Sequence, residues 1–283
     1  MKDKIGLVLA GGGGKGAYQI GVWQALDDLG LSGSVGGVSG TSVGALNGAL
    51  FCSGNLDMAQ RAWSGLDESA ILTRNTHGSY NGWLSNSGLR EMVRRYVDID
   101  AVKGGKCLFY AAASRVTKPA ILFQAIQRYS EKNIAHKAVS AFFIKLFPLI
   151  TTVRYFDVKE YDNHTVEDII IASAAIPLVF PDVVIDDGIY IDGGVKDNTP
   201  ITPLYKDGLR KMIVISLDKS YRVPEIKFPG AKFFVFRFNE GSRMRSLAGT
   251  FDFAASDAKE RMKLGYDECI AASGKLLEFI QSK

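Results

Sequence analysis

Ser42 stands between two glycines in Gly40-Thr41-Ser42-Val43-Gly44, where a short apolar run gives way to a stretch of small residues. A serine on a strand-to-helix turn presents its hydroxyl to substrate instead of packing it, which is the geometry nucleophilic acyl transfer requires. The same turn also suits a helix N-cap, a role open to Ser39, Thr41 and Ser42 alike, and the pentapeptide spacing arises readily in a chain with 30 glycines. What separates the two readings is whether the chain supplies a base and an oxyanion site for the hydroxyl.

The histidines do not supply that base. Triads of the α/β-hydrolase type run serine, acid, histidine along the chain, with the histidine near the C-terminus. Here the histidines are His77 in a polar loop, His136 in a basic segment and His164 in Tyr161-Asp162-Asn163-His164-Thr165, where a turn or helix start is expected. A serine nucleophile without a histidine needs another base, and a carboxylate can serve if it is held against the hydroxyl in a partly desolvated site. Asp192 fits that requirement. It ends the apolar run Ile189-Tyr190-Ile191 and is followed by Gly193 and Gly194, which allow another backbone to approach closely. Asp186-Asp187-Gly188, a few residues earlier, is by contrast a simple hairpin turn between Val183-Val184-Ile185 and Ile189-Tyr190-Ile191.

The cluster Gly11-Gly12-Gly13-Gly14-Lys15-Gly16 follows the first strand and admits several readings. A dinucleotide site fits the glycine spacing, but it needs an acid at the end of the second strand, and Val38-Ser39-Gly40-Thr41 has none. A phosphate loop ending at Gly14-Lys15 would need glycine at Leu9 and a hydroxyl at Gly16. A tight turn without chemistry is a further alternative. An oxyanion hole, in which backbone N–H groups unobstructed by side chains point at a developing negative charge, is the reading that gives Ser42 a partner.

Taken in order, these blocks resemble the patatin-like phospholipase family. The glycine block 11–16, the nucleophile block Gly40 to Gly44 followed by Ala45, and Asp192-Gly193-Gly194 with Asn198 and Pro200 behind it match the family pattern. So does Ala172-Ser173-Ala174-Ala175-Ile176-Pro177 with Phe180 and Pro181. The resemblance implies a three-layer α/β/α sandwich with a mainly parallel central sheet. It also implies hydrolysis of phospholipid or lysophospholipid esters by a Ser-Asp dyad, with Ser42 as nucleophile and Asp192 as proton acceptor. Backbone N–H groups of Gly12, Gly13 and Gly14, with Val43 as a further donor, would form the oxyanion hole. Gly11, Lys15, Gly16, Gly40, Gly44, Gly193 and Gly194 would support it. The family's basic residue is usually arginine, so Lys15 departs from the pattern and loses a rigid bidentate donor. No metal or cofactor is implied. The other class of reading is a nucleotide-binding or catalytically inactive scaffold built on the same glycine loop.

The elements that must position these residues follow from periodicity. Ile5 to Ala10 reads as a strand covered on both faces, Tyr18 to Leu29 as an amphipathic helix closed by Gly30, Val35 to Val38 as a second strand and Val43 to Cys52 as a helix. Helices are expected over Asn55–Leu66, Ser87–Val97 and Thr165–Ala175, the last stopping before Pro177. Strands are expected at Cys107–Ala111, Thr152–Phe156, Lys211–Leu217 and Phe233–Phe238. A long C-terminal helix from Asp257 to Ile280 is expected to break near Gly265 and Gly274. With 283 residues and no linker, residues 1–283 read as a single domain carrying an insert at about 117–149.

A net charge of +4 with 23% charged residues gives no strong field for nucleic acid. Cys52, Cys107 and Cys269 lack metal-ligand spacing and read as reduced thiols. No signal-like segment precedes Ile5 and no apolar run reaches membrane-spanning length, so a cytoplasmic protein is expected. The insert carries Lys118, Arg128, Lys132, Lys137 and Lys145 against a single acid, Glu131, interleaved with residues such as Phe123, Phe142 and Phe147. It reads either as helices packed on the core with a solvated basic face, or as a cap that receives acyl chains and meets anionic membrane.

Overall fold

The computed structural model describes residues 4–65, 84–117, 146–239 and 255–282. His77, His136 and the central part of the basic insert lie outside the described residues.

Strands β1 (Ile5–Leu9), β2 (Val35–Thr41), β3 (Leu108–Val116), β7 (Lys211–Ser216) and β8 (Lys232–Arg237) form the parallel body of one sheet, in the order β8-β7-β1-β2-β3. Side chains alternate across it. Leu7 and Leu9 enter the larger core, while Val8 enters a smaller one with Leu204, Met212 and Val214. Helices α1 (Ala17–Asp28), α2 (Val43–Ser53), α3 (Leu56–Ser64), α4 (Ser87–Tyr96), α5 (Ile99–Gly104) and α6 (Asn163–Ser173) contribute to the larger core. The short α7 (Thr202–Lys206) and the chain leading to Phe228 close the smaller one. The result is an α/β fold with a mostly parallel sheet between helices, as expected, though its two helical layers are unequal.

Three strands depart from the parallel body. β4 (Thr151–Asp157) runs antiparallel along one edge of β3 from Tyr110 to Val116. On the opposite edge β2 pairs with Leu108 to Ala112, and β6 (Gly188–Asp192) pairs antiparallel with Ala113 to Arg115. β2 and β6 therefore lie end to end on the same edge and run toward each other. Thr41 is opposite Ala112, and Asp192 is opposite Ala113. β5 (Val183–Ile185) completes the hairpin with β6, and its turn residue Asp186 adopts φ 52°.

Several observed elements outrun their sequence signals. β2 continues through Ser39 and Gly40 to Thr41 because parallel pairing on both sides compensates for its glycines. β3 extends to Val116 because β4 and β6 pair antiparallel along its two edges, and the six-residue α5 carries too short a period to be read. The C-terminal helices are α8 (Ala255–Ala271) and α9 (Ser273–Gln281), divided at Ala272. Gly265 thus does not interrupt its helix, contrary to expectation. It lies against α1, where an added Cβ would come within 2.1 Å of the Tyr18 carbonyl oxygen, and across the same contact a Cβ on Gly21 would fall 1.8 Å from the Met262 oxygen. The two helices cross with backbone nearly touching backbone. Gly21→Ala gains up to about 1 kcal/mol of helix propensity, but the clash with an immovable carbonyl should outweigh it. A net loss of about 1–3 kcal/mol, the usual range for overpacking, is expected in urea denaturation, and an unchanged midpoint would refute this close crossing.

Candidate active site

The end-to-end meeting of β2 and β6 brings residues 42 and 192 together at the carboxyl ends of the parallel strands. Ser42 follows Thr41 directly and takes φ 56° and ψ −126°, a backbone conformation that L-residues rarely adopt. Its flanking glycines make the turn possible. A Cβ on Gly40 would approach the Gly44 oxygen to 2.1 Å, and one on Gly44 would approach the Leu9 oxygen to the same distance. Ser42 occupies the N-cap position of α2, but its side chain makes no capping hydrogen bond. The hydroxyls of Ser39 and Thr41 are likewise not caps: they donate to the carbonyls of Pro200 (2.5 Å) and Asp197 (2.9 Å).

Asp192 is buried, and one carboxylate oxygen accepts the Gly194 N–H at 2.6 Å. Burial pushes its pKa up to about 6, while the Ser42 hydroxyl and the Gly194 N–H, as hydrogen-bond donors to the carboxylate, pull it part of the way back. A Cβ on Gly193 would strike the Ala112 oxygen at 2.2 Å, so the chain leaves β6 against β3 with no room for a side chain.

Both residues are anchored by the segment that ends α6. The Ser42 N–H donates to Ser173 Oγ at 2.9 Å, Ser173 Oγ donates to the Ala112 oxygen at 2.6 Å, and the Asp192 N–H donates to the Ala175 oxygen at 2.8 Å. Ser173 therefore secures the strained serine to the rung of β3 where β2 stops.

The glycine loop passes in front of this pair. Gly11 is clamped by Asn198, whose carbonyl accepts the Gly11 N–H (3.1 Å) and whose amide donates to the Gly11 carbonyl (3.2 Å). Beyond it the chain turns at Gly13, with φ 58°, into a single 3-10 turn that leads to α1. Among the described residues the N–H groups of Gly12, Gly13, Gly14 and Val43 meet no acceptor. The far end of the loop is held by a buried polar network. Asn47 donates to the Gly16 carbonyl (3.0 Å) and to Gln19 (2.8 Å), Gln19 donates to the Ala10 carbonyl (2.8 Å), and Trp63 donates to Asn47 (2.9 Å). Lys15 lies within electrostatic reach of Asp218, whose carboxyl is held low chiefly by hydrogen bonds from Ser220.

His164 is exposed in the first turn of α6 and pairs with Asp168 at 3.4 Å. Among the described residues no cluster of three or more metal-ligating side chains occurs.

The family model of the patatin-like phospholipases matches residues 7–205. The chain belongs to this family. Among curated relatives it is 24% identical over 255 residues to "Lysophospholipase NTE1" of Cryptococcus neoformans, covering 88% of this chain and 13% of the relative. It is 23% identical to the Mycosarcoma maydis protein of the same name, over 75% of this chain and 10% of that one. A stretch of 51 residues is 51% identical to "Neuropathy target esterase sws" of Drosophila melanogaster, covering 18% of this chain and 3% of the relative. The chain thus spans only a small part of the length of these relatives. Among solved structures, VipD from Legionella pneumophila superposes with a TM-score of 0.52 at 15% identity, over 95% of this chain and 66% of that one, a likeness of fold.

The Gln19-Asn47-Trp63 network carries no signal as part of a site in the sequence, and Ser173 stands in a family block without any sign there that it holds Ser42. Asn198 stands in the family pattern, but its grip on the glycine loop requires the structure.

An Asp192 pKa of about 6, against 3.8 ordinarily, means that the folded protein holds the proton more tightly than the unfolded chain does. The resulting stability is fully present below about pH 4 and disappears as pH rises through 6. Asp192→Asn, uncharged throughout, should exceed the wild type in stability by roughly 2–3 kcal/mol above pH 7, the equivalent of a shift of about two pK units. It should match the wild type near pH 4. Urea midpoints at the two pH values test this, and equal stability at pH 7.5 would contradict it.

Proposed function

We propose that the chain is a serine-dependent lipid acyl hydrolase that cleaves carboxylic esters of phospholipids or lysophospholipids. The observation that carries this reading is the buried Asp192 carboxylate facing the hydroxyl of a strained Ser42, beside backbone N–H groups that meet no acceptor. Family membership and the printed names of the fungal relatives support the substrate class.

In the proposed reaction Ser42 Oγ attacks the ester carbonyl carbon and its proton passes to Asp192. The carbonyl oxygen becomes negative and accepts hydrogen bonds from N–H groups among Gly12, Gly13, Gly14 and Val43, where each well-placed donor is worth about 3 kcal/mol. As the tetrahedral species collapses, the bond to the leaving alcohol breaks and the alkoxide takes the proton from Asp192. Water then attacks the acyl-Ser42 ester, loses its proton to Asp192 and releases the fatty acid, and the proton returns to Ser42. No metal or cofactor takes part. Gly11, Gly16, Gly40, Gly44, Gly193 and Gly194 serve by letting backbone segments approach, and Lys15 contributes positive charge beside the loop.

Among the described residues no helix is long and apolar enough to cross a membrane, so contact with lipid is proposed to be peripheral and to run through the basic insert at 117–149. The free thiols suit a cytoplasmic setting.

On a monoacyl phospholipid, kcat/KM should rise about tenfold per pH unit below 6 and level off above it, because the base must be ionised. Asp192→Asn should lower it by about 10²–10⁴-fold, and Ser42→Ala should abolish both turnover and fluorophosphonate labelling. Labelling that persists in Ser42→Ala, or near-normal turnover in Asp192→Asn, would overturn the reading. For the insert, charge reversal at Lys132 and Lys137 should weaken binding to anionic vesicles, and unchanged binding would remove the membrane role.

A further inference from the structure

Behind the segment that follows Asp192 lies a cavity of about 500 Å³, within the range typical of small-molecule sites. It opens at the same carboxyl end of the sheet as Ser42 but on the side of the smaller core, beside Ile201 and Phe228. Residues 196–199 form the partition: Asn198 clamps the glycine loop on one side and lines the cavity on the other.

The chemistry of this cavity is uneven. Lys196, Arg222 and Lys227 stand around it, and among the described residues none of them forms an ion pair. Lys196 donates to the Pro148 carbonyl, and Arg222 donates through one nitrogen to the carbonyls of Lys219, Ser220 and Tyr221 while its charge also acts on the Asp218 carboxylate, so Lys196 and Lys227 are the cations that no carboxylate in the wall offsets. The two acids in the wall are already engaged. Asp197 accepts from the Tyr155 hydroxyl (2.5 Å) and the Thr199 N–H (3.2 Å), and Asp218 accepts from the N–H (2.8 Å) and hydroxyl (2.7 Å) of Ser220. Between these charges Tyr155, Tyr221, Thr199, Thr202 and Ser216 supply hydroxyls, four of them paired as Tyr155 with Thr202 and Tyr221 with Thr199. Three cations against two carboxylates leave the cavity net positive, which favours a phosphate, and the hydroxyls in the same wall favour a polyol attached to it.

We propose that this cavity binds a small soluble phosphorylated polyol at a site separate from Ser42. The proposal does not depend on the hydrolase reading, because its readout is binding alone. In calorimetric titrations glycerol 3-phosphate should bind at least tenfold more tightly than inorganic phosphate, with one site per chain. Prior modification of Ser42 with a fluorophosphonate, or replacement by alanine, should leave that affinity unchanged. Arg222→Gln with Lys227→Gln should weaken it at least tenfold. Lys227→Gln alone, at a side chain that meets no hydrogen-bond or ion-pair partner among the described residues, should weaken it severalfold with no change in the thermal unfolding midpoint. Absence of binding, equal affinity for inorganic phosphate, insensitivity to both lysine and arginine variants, or loss of binding on Ser42 modification would each overturn the proposal.

Discussion

One edge of one strand organises this protein. β3 offers a single row of hydrogen-bonding groups on the side facing β2, and two strands arriving from opposite directions share it. Neither can advance further without displacing the other, so β2 must stop at Ala112 and β6 at Ala113. The separation of Ser42 and Asp192 is thus inherited from a hydrogen-bonded ladder and not from the conformation of a loop, which holds the pair more rigidly than loop-borne side chains would be held. The run Ala111-Ala112-Ala113, fully buried, keeps the meeting point narrow enough for Gly193 and Ser173 to reach the same Ala112 carbonyl from two directions.

Two unfavourable features are concentrated at that junction, a positive φ on a non-glycine residue and a carboxylate removed from water. Each persists because its surroundings over-determine it. Ser173 and Ala175, at the end of α6, accept the N–H groups of Ser42 and Asp192, so a single helix terminus restrains both. Asn198 and Asn47 do the equivalent for the two ends of the glycine loop, and among the described residues the N–H groups of Gly12, Gly13 and Gly14 between them meet no acceptor. Polar groups that would ordinarily be satisfied internally are left facing outward, and that is the condition for a backbone site to accept charge from a ligand.

The sequence makes much of this legible, and the boundary between what it shows and what it hides is physical. Gly40 and Gly44 announce a turn that only small residues permit, and Asp192 before two glycines announces a strand end without a hairpin, because both are local constraints on the backbone. The family blocks align these local signals in order, and the fold follows. The end-to-end meeting of β2 and β6 on β3 is non-local, bringing together residues about 150 positions apart, and no local pattern encodes which rung of β3 each will occupy. Gly265 shows the converse error. Read locally it weakens a helix, yet its purpose is a contact with Tyr18 made by an element nearly 250 residues away. Ser173 and Gln19 belong to the same class: their neighbours in sequence are apolar, and what they hold lies across the fold.

With no histidine against Ser42 among the described residues, burial of Asp192 takes on a chemical task. A carboxyl at its ordinary pKa near 3.8 would be a poor acceptor for a serine proton, whereas one at about 6 approaches the basicity of an imidazole. That increase arises first from desolvation, not from a neighbouring charge, and the Ser42 hydroxyl limits it by hydrogen-bonding the ionised form. The two effects oppose each other by design of the geometry. A carboxylate better solvated by additional N–H donors would be more stable and less basic, and among the described residues Asp192 receives only the Gly194 N–H from the backbone. On the proposed mechanism, the stability lost by burying the charge is therefore the same free energy that makes the carboxylate able to act as a base at neutral pH.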